Sequence, residues 1–152
     1  MRSPYVRLVR AGARFLAVAA VGVLLGQCFI LPVAAKTRPA PIRIQFRAGA
    51  ISTQIQGQLS RTTHEAVYVA RLKAGDHMIV NIIGVGGLMT SGEISGPGGQ
   101  GGGSHGGLVF NEDITTGGDF TIRVSRNQMA DSPANARSFI LEVVITPAWL
   151  HS

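Results

Sequence analysis

Three acidic residues, Glu112, Asp113 and Asp119, gather around the segment NEDITTGGD. Carboxylate oxygens are the ligands that Ca²⁺ prefers, so one interpretation is a calcium ion held between loops. The other is a polar turn, because Gly117 and Gly118 can reverse the chain into the next strand. We favour the turn and predict no metal site, with the three acids as the weaker alternative.

Neighbouring residues of the catalytic types occur, but their spacing does not suit catalysis. Ser104 and His105 adjoin in a glycine-rich stretch, where a mobile loop would not hold a nucleophile and a base at hydrogen-bond distance. The His/acid pairs at 64–65 and 76–77 lie at expected strand ends, where adjacent side chains point to opposite faces. No HExxH-like spacing is present. We predict no catalytic residue, no cofactor and a protein that is not an enzyme.

The segment SGPGGQGGGSHGG, residues 95–107, contains eight glycines. A phosphate-binding glycine loop needs a helix directly after it, and the strand-like GLVFNED follows instead. A calcium-binding glycine repeat needs interleaved aspartates, and the segment has none. The composition therefore predicts a flexible linker between two strands.

Two arginines, Arg126 and Arg137, bracket a loop that contains Pro133. Loops on a rigid scaffold often carry recognition, and the planar guanidinium can bind both oxygens of a carboxylate. The sequence leaves two interpretations open, a partner-binding loop and ordinary surface arginines.

Most of the chain after residue 41 alternates apolar and polar residues with period two, which is typical of strands with one buried face. The pattern predicts about eight short strands and no convincing helix. Eight strands in roughly a hundred residues favour an all-β fold, an antiparallel β-sandwich or jelly roll.

The first 35 residues differ from the rest. Four arginines precede the 21 uncharged residues 15–35, which end in Val33-Ala34-Ala35. A basic start, an apolar stretch and a small-residue end predict a signal peptide, residues 1–35, cleaved after Ala35. An uncleaved membrane anchor and a lipoprotein signal ending at Cys28 are the alternatives. Residues 36–41 then form a leader, and residues 42–152 form a single β-sandwich domain.

Cleavage changes the charge and the cysteine content. Four of the 14 basic side chains would leave and all eight acidic ones would stay, so the mature net charge is +2 instead of +6. Such a charge argues against nucleic-acid binding. The single cysteine, Cys28, leaves too, so a disulfide and a thiolate metal site are excluded from the mature chain.

Five segments in order, IRIQFRAGAISTQIQGQL, YVARLKAGDHMIVNI, ISGPGG, TTGGDFTIRVSRNQ and ARSFILEVVI, resemble the periplasmic inhibitors of goose-type (g-type) lysozyme. The resemblance runs from about Ile42 to Ile145. The same skeleton is similar to bacterial pre-peptidase C-terminal domains, which are β-sandwich modules of secreted proteases.

The resemblance to the inhibitors implies a function. In that family, loops at one end of the sandwich enter the lysozyme cleft, and basic residues lie between the last two strands. By position these are Arg126 and Arg137, and Tyr68 matches a family tyrosine. The resemblance thus implies Arg126, Arg137 and Tyr68 as partner-binding residues, although Tyr68 also fits a core position.

The sequence therefore predicts a periplasmic or secreted binding protein, with g-type lysozyme as the expected partner. The alternative is a generic cell-envelope binding module, similar to the pre-peptidase C-terminal domains, for polysaccharide, peptide or calcium. Its site would lie on a strand face or at the acidic cluster. Contact with a membrane is expected only through an uncleaved signal segment.

Overall fold

The computed structural model describes residues 39–60 and 62–150. The predicted signal peptide with its anchor and lipoprotein alternatives, and residues 36–38 of the leader, lie outside these residues and stay predictions. Within the two described ranges, no helix is long and apolar enough to cross a membrane.

Nine strands occur in the described part of the chain. They are β1 Ile42–Arg43, β2 Ser52–Gln58, β3 Glu65–Leu72, β4 His77–Gly84, β5 Thr90–Ser95, β6 Gly101–Ser104, β7 Gly107–Asp113, β8 Gly118–Arg126 and β9 Ser138–Thr146. Single 3₁₀ turns occupy Pro97–Gly99 and Ala148–Leu150.

The strands form two sheets, with the order β1-β3-β8-β5-β6 in the first and β2-β9-β4-β7 in the second. Every pairing is antiparallel except that of the short β1 with β3. The predicted all-β sandwich is confirmed, and its jelly-roll version stays a prediction.

The core lies between the sheets and follows the alternation read from the sequence. On β8, Phe120, Ile122 and Val124 are fully buried, and the residues between them are not. On β9 in the other sheet, Phe139, Leu141 and Val143 are likewise fully buried, and the residues between them are not. Burying one such side chain contributes about 1.5–3 kcal/mol, so these two central strands supply much of the stability.

Gly57 makes room for the contact between the rings of Tyr68 and Phe139. It pairs with Phe139, and a Cβ atom at Gly57 would lie 2.2 Å from Phe139 Cζ and 2.7 Å from the Tyr68 hydroxyl. The two rings meet edge to face, with centroids 6.4 Å apart. A glycine is therefore required here by close packing.

The prediction that residues 95–107 are a flexible linker is wrong for the strand Gly101–Ser104 and for the 3₁₀ turn Pro97–Gly99. Gly101–Ser104 forms strand β6, paired with β5. Glycine allows this close pairing, because a Cβ atom at Gly101 would lie 2.3 Å from the Ile94 carbonyl oxygen. The Gln100 side chain binds the turn to the end of β7, because its Nε2 donates to Asp113 O at 2.6 Å. Residues 101–104 are thus the second strand of a hairpin with β5, and the Gln100 side chain holds the turn in place.

Candidate protein-binding surface

Four connections lie together at one end of the sandwich. They are the described residues 59–60 and 62–64 of the first connection, then 85–89, 105–106 and 127–137, and we call them the loop end. Each joins a strand of one sheet to a strand of the other. Both sheets therefore position every loop of this surface.

Hydrogen bonds donated by backbone N–H groups hold the loops of this end to one another. Asn127 N donates to Met89 O at 2.9 Å, and Met89 N donates to Ser132 Oγ at 2.9 Å. Between the connection after β2 and the one before β9, Leu59 N donates to Arg137 O at 2.7 Å. These bonds link three of the four loops, so the loop end has a defined shape before any partner arrives.

Arg126 organises the longest loop from within. Its Nη1 donates to Ala136 O at 2.9 Å, and its Nη2 donates to Ser132 O at 3.2 Å and Pro133 O at 3.1 Å. The half-buried guanidinium thus spans the base of residues 127–137. The resemblance implied Arg126 as a partner-binding residue, and in the structure its guanidinium supports residues 127–137.

Arg137 differs from Arg126 although both bracket the same loop. Its side chain is exposed and makes no hydrogen bond or ion pair with the described residues. Its backbone is fixed, because its carbonyl accepts the bond from Leu59. A free guanidinium on a fixed backbone is well suited to a partner carboxylate.

A cavity of about 510 Å³ opens beside this loop. It is lined by His64, Arg126, Asn127, Gln128, Ala130, Asp131 and Ser132. Small-molecule pockets are mostly apolar, and this lining is mostly polar. The cavity therefore suits an inserted polar side chain of a protein better than a buried cofactor.

Apolar side chains also lie at the loop end, and none of them was predicted from the sequence as a binding residue. Met129 is 97% exposed, and Met89 and Val85 are about half exposed. Exposed flexible methionines are common on binding surfaces. Their position in turn-rich segments was the available signal, since a core methionine would have fallen on an alternating strand.

Tyr68, the third predicted partner-binding residue, lies in the core. It is 2% exposed and points inward from β3 against Phe139. Burial raises the pKa of its hydroxyl. A partner could not contact its ring without opening the sandwich, so the core interpretation replaces the binding one.

The acidic cluster is not assembled into one site. Asp113 ends β7 in the second sheet, and Asp119 lies on β8 in the first. Asp119 forms an ion pair with Arg43 at 2.9 Å, which lowers its pKa. Glu112 is exposed on β7. In residues 39–60 and 62–150, no three His, Cys, Asp or Glu side chains come close enough to share a metal ion.

His77 instead joins two strands of the second sheet. Its Nδ1 lies 2.6 Å from Asp113 Oδ1, and its Nε2 lies 2.8 Å from Asn111 Oδ1. Because both neighbours are acceptors, the doubly protonated ring satisfies both bonds. The hydrogen bond to Asp113 is the main cause that raises the pKa of His77, and the bond to Asn111 adds to it.

His105 is held by neighbours that do not make a catalytic set. Its Nδ1 lies 3.1 Å from Ser91 Oγ and 3.4 Å from Asn127 Nδ2. The nitrogen that would be oriented by a carboxylate in a triad is thus taken by a hydroxyl and an amide. The contact helps to join the 105–106 connection to the neighbouring loop.

No protein-family model matches the chain, and no curated protein matches it in sequence. Solved structures do. Aeromonas hydrophila PliG, a periplasmic lysozyme inhibitor of g-type lysozyme, is 23% identical and matches over 70% of this chain and 96% of that chain, with a TM-score of 0.56. Salmonella Typhimurium PliG, an inhibitor of the same kind, is 14% identical over 72% and 100%, with a TM-score of 0.57.

A pre-peptidase C-terminal domain of a Bacillus anthracis collagenase is also similar, at 17% identity over 70% of this chain and 97% of that domain, with a TM-score of 0.49. The resemblance to the inhibitors that the sequence predicted is confirmed as a likeness of fold by the two inhibitor structures. The chain has the β-sandwich fold of the two inhibitors.

Proposed function

We propose that the protein is an exported inhibitor of g-type lysozyme that blocks the enzyme's cleft with its loop end. The observation that supports this most directly is the interlocked loop end on a sandwich that has the fold of two such inhibitors. Inhibition of this kind needs no chemistry from the inhibitor. It needs a rigid scaffold, protruding loops and complementary charge.

The roles of the two arginines differ in this proposal. Arg137 contacts the partner, because its guanidinium is exposed and uncommitted. Arg126 acts through the loop, because its donors are already bonded to three carbonyl groups. Glycosidases act through carboxyl groups in their clefts, so an arginine at the cleft entrance faces the charge that it binds best.

The proposal is tested by a cell-wall clearing assay with g-type and chicken-type lysozymes in parallel. The full chain is expressed and the protein is purified as the host exports it, with mass spectrometry to show whether the first residue is Lys36. We expect inhibition of the g-type enzyme alone. Arg137→Ala should weaken it by about 30-fold, the effect of losing one interface hot spot of about 2 kcal/mol.

Arg47→Ala is the matched control. Arg47 is exposed, and it lies in the connection between β1 and β2, which is not part of the loop end. Equal losses in both variants would show that the loop end is not the interface. If the folded wild-type protein inhibits neither enzyme, the inhibitor proposal fails and the envelope-binding alternative takes its place.

A further inference from the structure

The edges of the two sheets are protected unequally. Exposed edges invite pairing with another chain, and proteins usually guard them with short strands, charges or bulges. In the described part of the chain, β1 has two residues and β6 has four. The edge strand β7 has a register shift opposite Val80 and Asn81 and ends in two acids.

Strand β2 has none of these devices. Its seven residues, STQIQGQ, form a regular ladder with β9 without a register shift. It contains no charged residue and no proline. It is the long edge of the described sheets that remains open to an added strand.

Two hydrogen bonds that flank this ladder show which backbone groups of β2 point outward. Ile145 N donates to Ile51 O, and Leu59 N donates to Arg137 O. In an antiparallel pair such bonds occur at every second residue, so the odd-numbered residues of β2 face β9. The N–H and C=O groups of the even-numbered residues therefore face away, and these residues are Ser52, Gln54, Gln56 and Gln58.

We propose that β2 pairs with β2 of a second copy of this chain, antiparallel and centred on Ile55. In this register Ser52 lies opposite Gln58 and Gln54 lies opposite Gln56. The outward N–H and C=O groups of all four residues then lie opposite those of the other copy. Shifting the pairing by two residues in either direction would leave some of these groups without a partner in β2. The pairing joins the two four-stranded sheets into one.

The side chains favour a second copy over a charged partner strand. Each glutamine amide can both donate and accept, so Gln54 and Gln56 are complementary to each other across the axis. No like charges meet, which is the usual obstacle to self-pairing. The antiparallel arrangement also places the two loop ends at opposite poles, so the dimer does not depend on the proposed lysozyme contact and does not block it.

Sedimentation velocity over a range of concentrations tests the association. We expect a reversible monomer–dimer equilibrium for the wild type. The double variant Gln54→Lys/Gln56→Lys places a lysine opposite a lysine twice in the dimer, while in the monomer the new ammonium group at position 54 would face Glu142. It should raise the dissociation constant by about tenfold or more and leave the thermal midpoint within a few degrees.

The control adds the same two charges away from the edge, as Asn81→Lys/Ser95→Lys on β4 and β5, and should dimerise like the wild type. A second experiment tests the register. Gln54→Cys mixed with Gln56→Cys should form a disulfide, because directly opposed residues are within reach. Neither variant alone should do so, since identical positions lie diagonally, at about 7–8 Å.

A wild type that stays monomeric at all concentrations would overturn the proposal. So would a dimer that survives the lysine pair, or a mixture of the cysteine variants that does not cross-link. The last two results would place the association on another surface.

Discussion

Replacing Arg126 by alanine should destabilise the protein, and replacing Arg137 should not. The guanidinium of Arg126 donates to the carbonyl groups of Ser132, Pro133 and Ala136, so Arg126→Ala removes three hydrogen bonds at once. Each is worth about 0.5–1.5 kcal/mol net. Because water can reach the freed carbonyl groups of this largely exposed loop, we expect the free energy of unfolding to fall by about 2 kcal/mol in total.

The assay is thermal and urea unfolding followed by circular dichroism. For a domain of this size, about 2 kcal/mol corresponds to a fall in Tm of about 6 to 10 °C. Arg137→Ala, which removes an exposed side chain without a bonded partner, should stay within about 0.5 kcal/mol of the wild type. Arg126→Lys keeps the positive charge but loses the planar guanidinium with its several donors. Its stability should lie between those of Arg126→Ala and Arg137→Ala.

If the protein inhibits g-type lysozyme as proposed, the inhibition assay distinguishes the two arginines a second time. Arg126→Ala should weaken inhibition by loosening the loop, and Arg137→Ala should weaken it in a protein of unchanged stability. If Arg126→Ala unfolds at the wild-type temperature, the guanidinium does not hold the loop. The assignment of a supporting role to Arg126 would then be wrong.

Two further perturbations test the core and the surface of the second sheet. Gly57→Ala should lower the free energy of unfolding by about 1–3 kcal/mol, because its Cβ atom would lie 2.2 Å from Phe139 Cζ. In urea unfolding, the double variant with Phe139→Leu should recover part of this loss. The pKa of His77 is raised above its ordinary value of 6.5 by Asp113, so its contribution to stability is complete below pH 6.5 and disappears as the pH rises through the folded-state pKa. His77→Gln should remove this fall in the urea midpoint with pH, and an unchanged profile would show that the bond to Asp113 has no such effect.

The strands were predictable because alternation reports which residues face the core. It succeeded on β8 and β9, where apolar and polar side chains mark the two faces. It failed at β6, since the glycines of Gly101–Ser104 have no side chains that could alternate. The same rule could have placed Tyr68, which shares a face with Ala70 and Leu72, in the core.

The candidate binding surface was less predictable because it depends on the path of the loops. Arg126 and Arg137 look equivalent in the sequence, and only the fold of residues 127–137 turns one guanidinium inward. Likewise, Asp113 and Asp119 are six positions apart in the chain, but the connection between them crosses to the other sheet. The acidic cluster, which the sequence offered only as the weaker alternative to a polar turn, is therefore divided between the two sheets.

The direction of β9 has a practical consequence for handling the molecule. This strand starts at the loop end with Ser138 and runs to Thr146, so residues 147–150 leave the sandwich at the opposite pole, where Ala148 lies near Gly75. A tag or biotin attached after residue 150 would tether the protein with its loop end facing the bulk solution. Biosensor chips and affinity resins prepared in this orientation would present that surface to any enzyme passed over them.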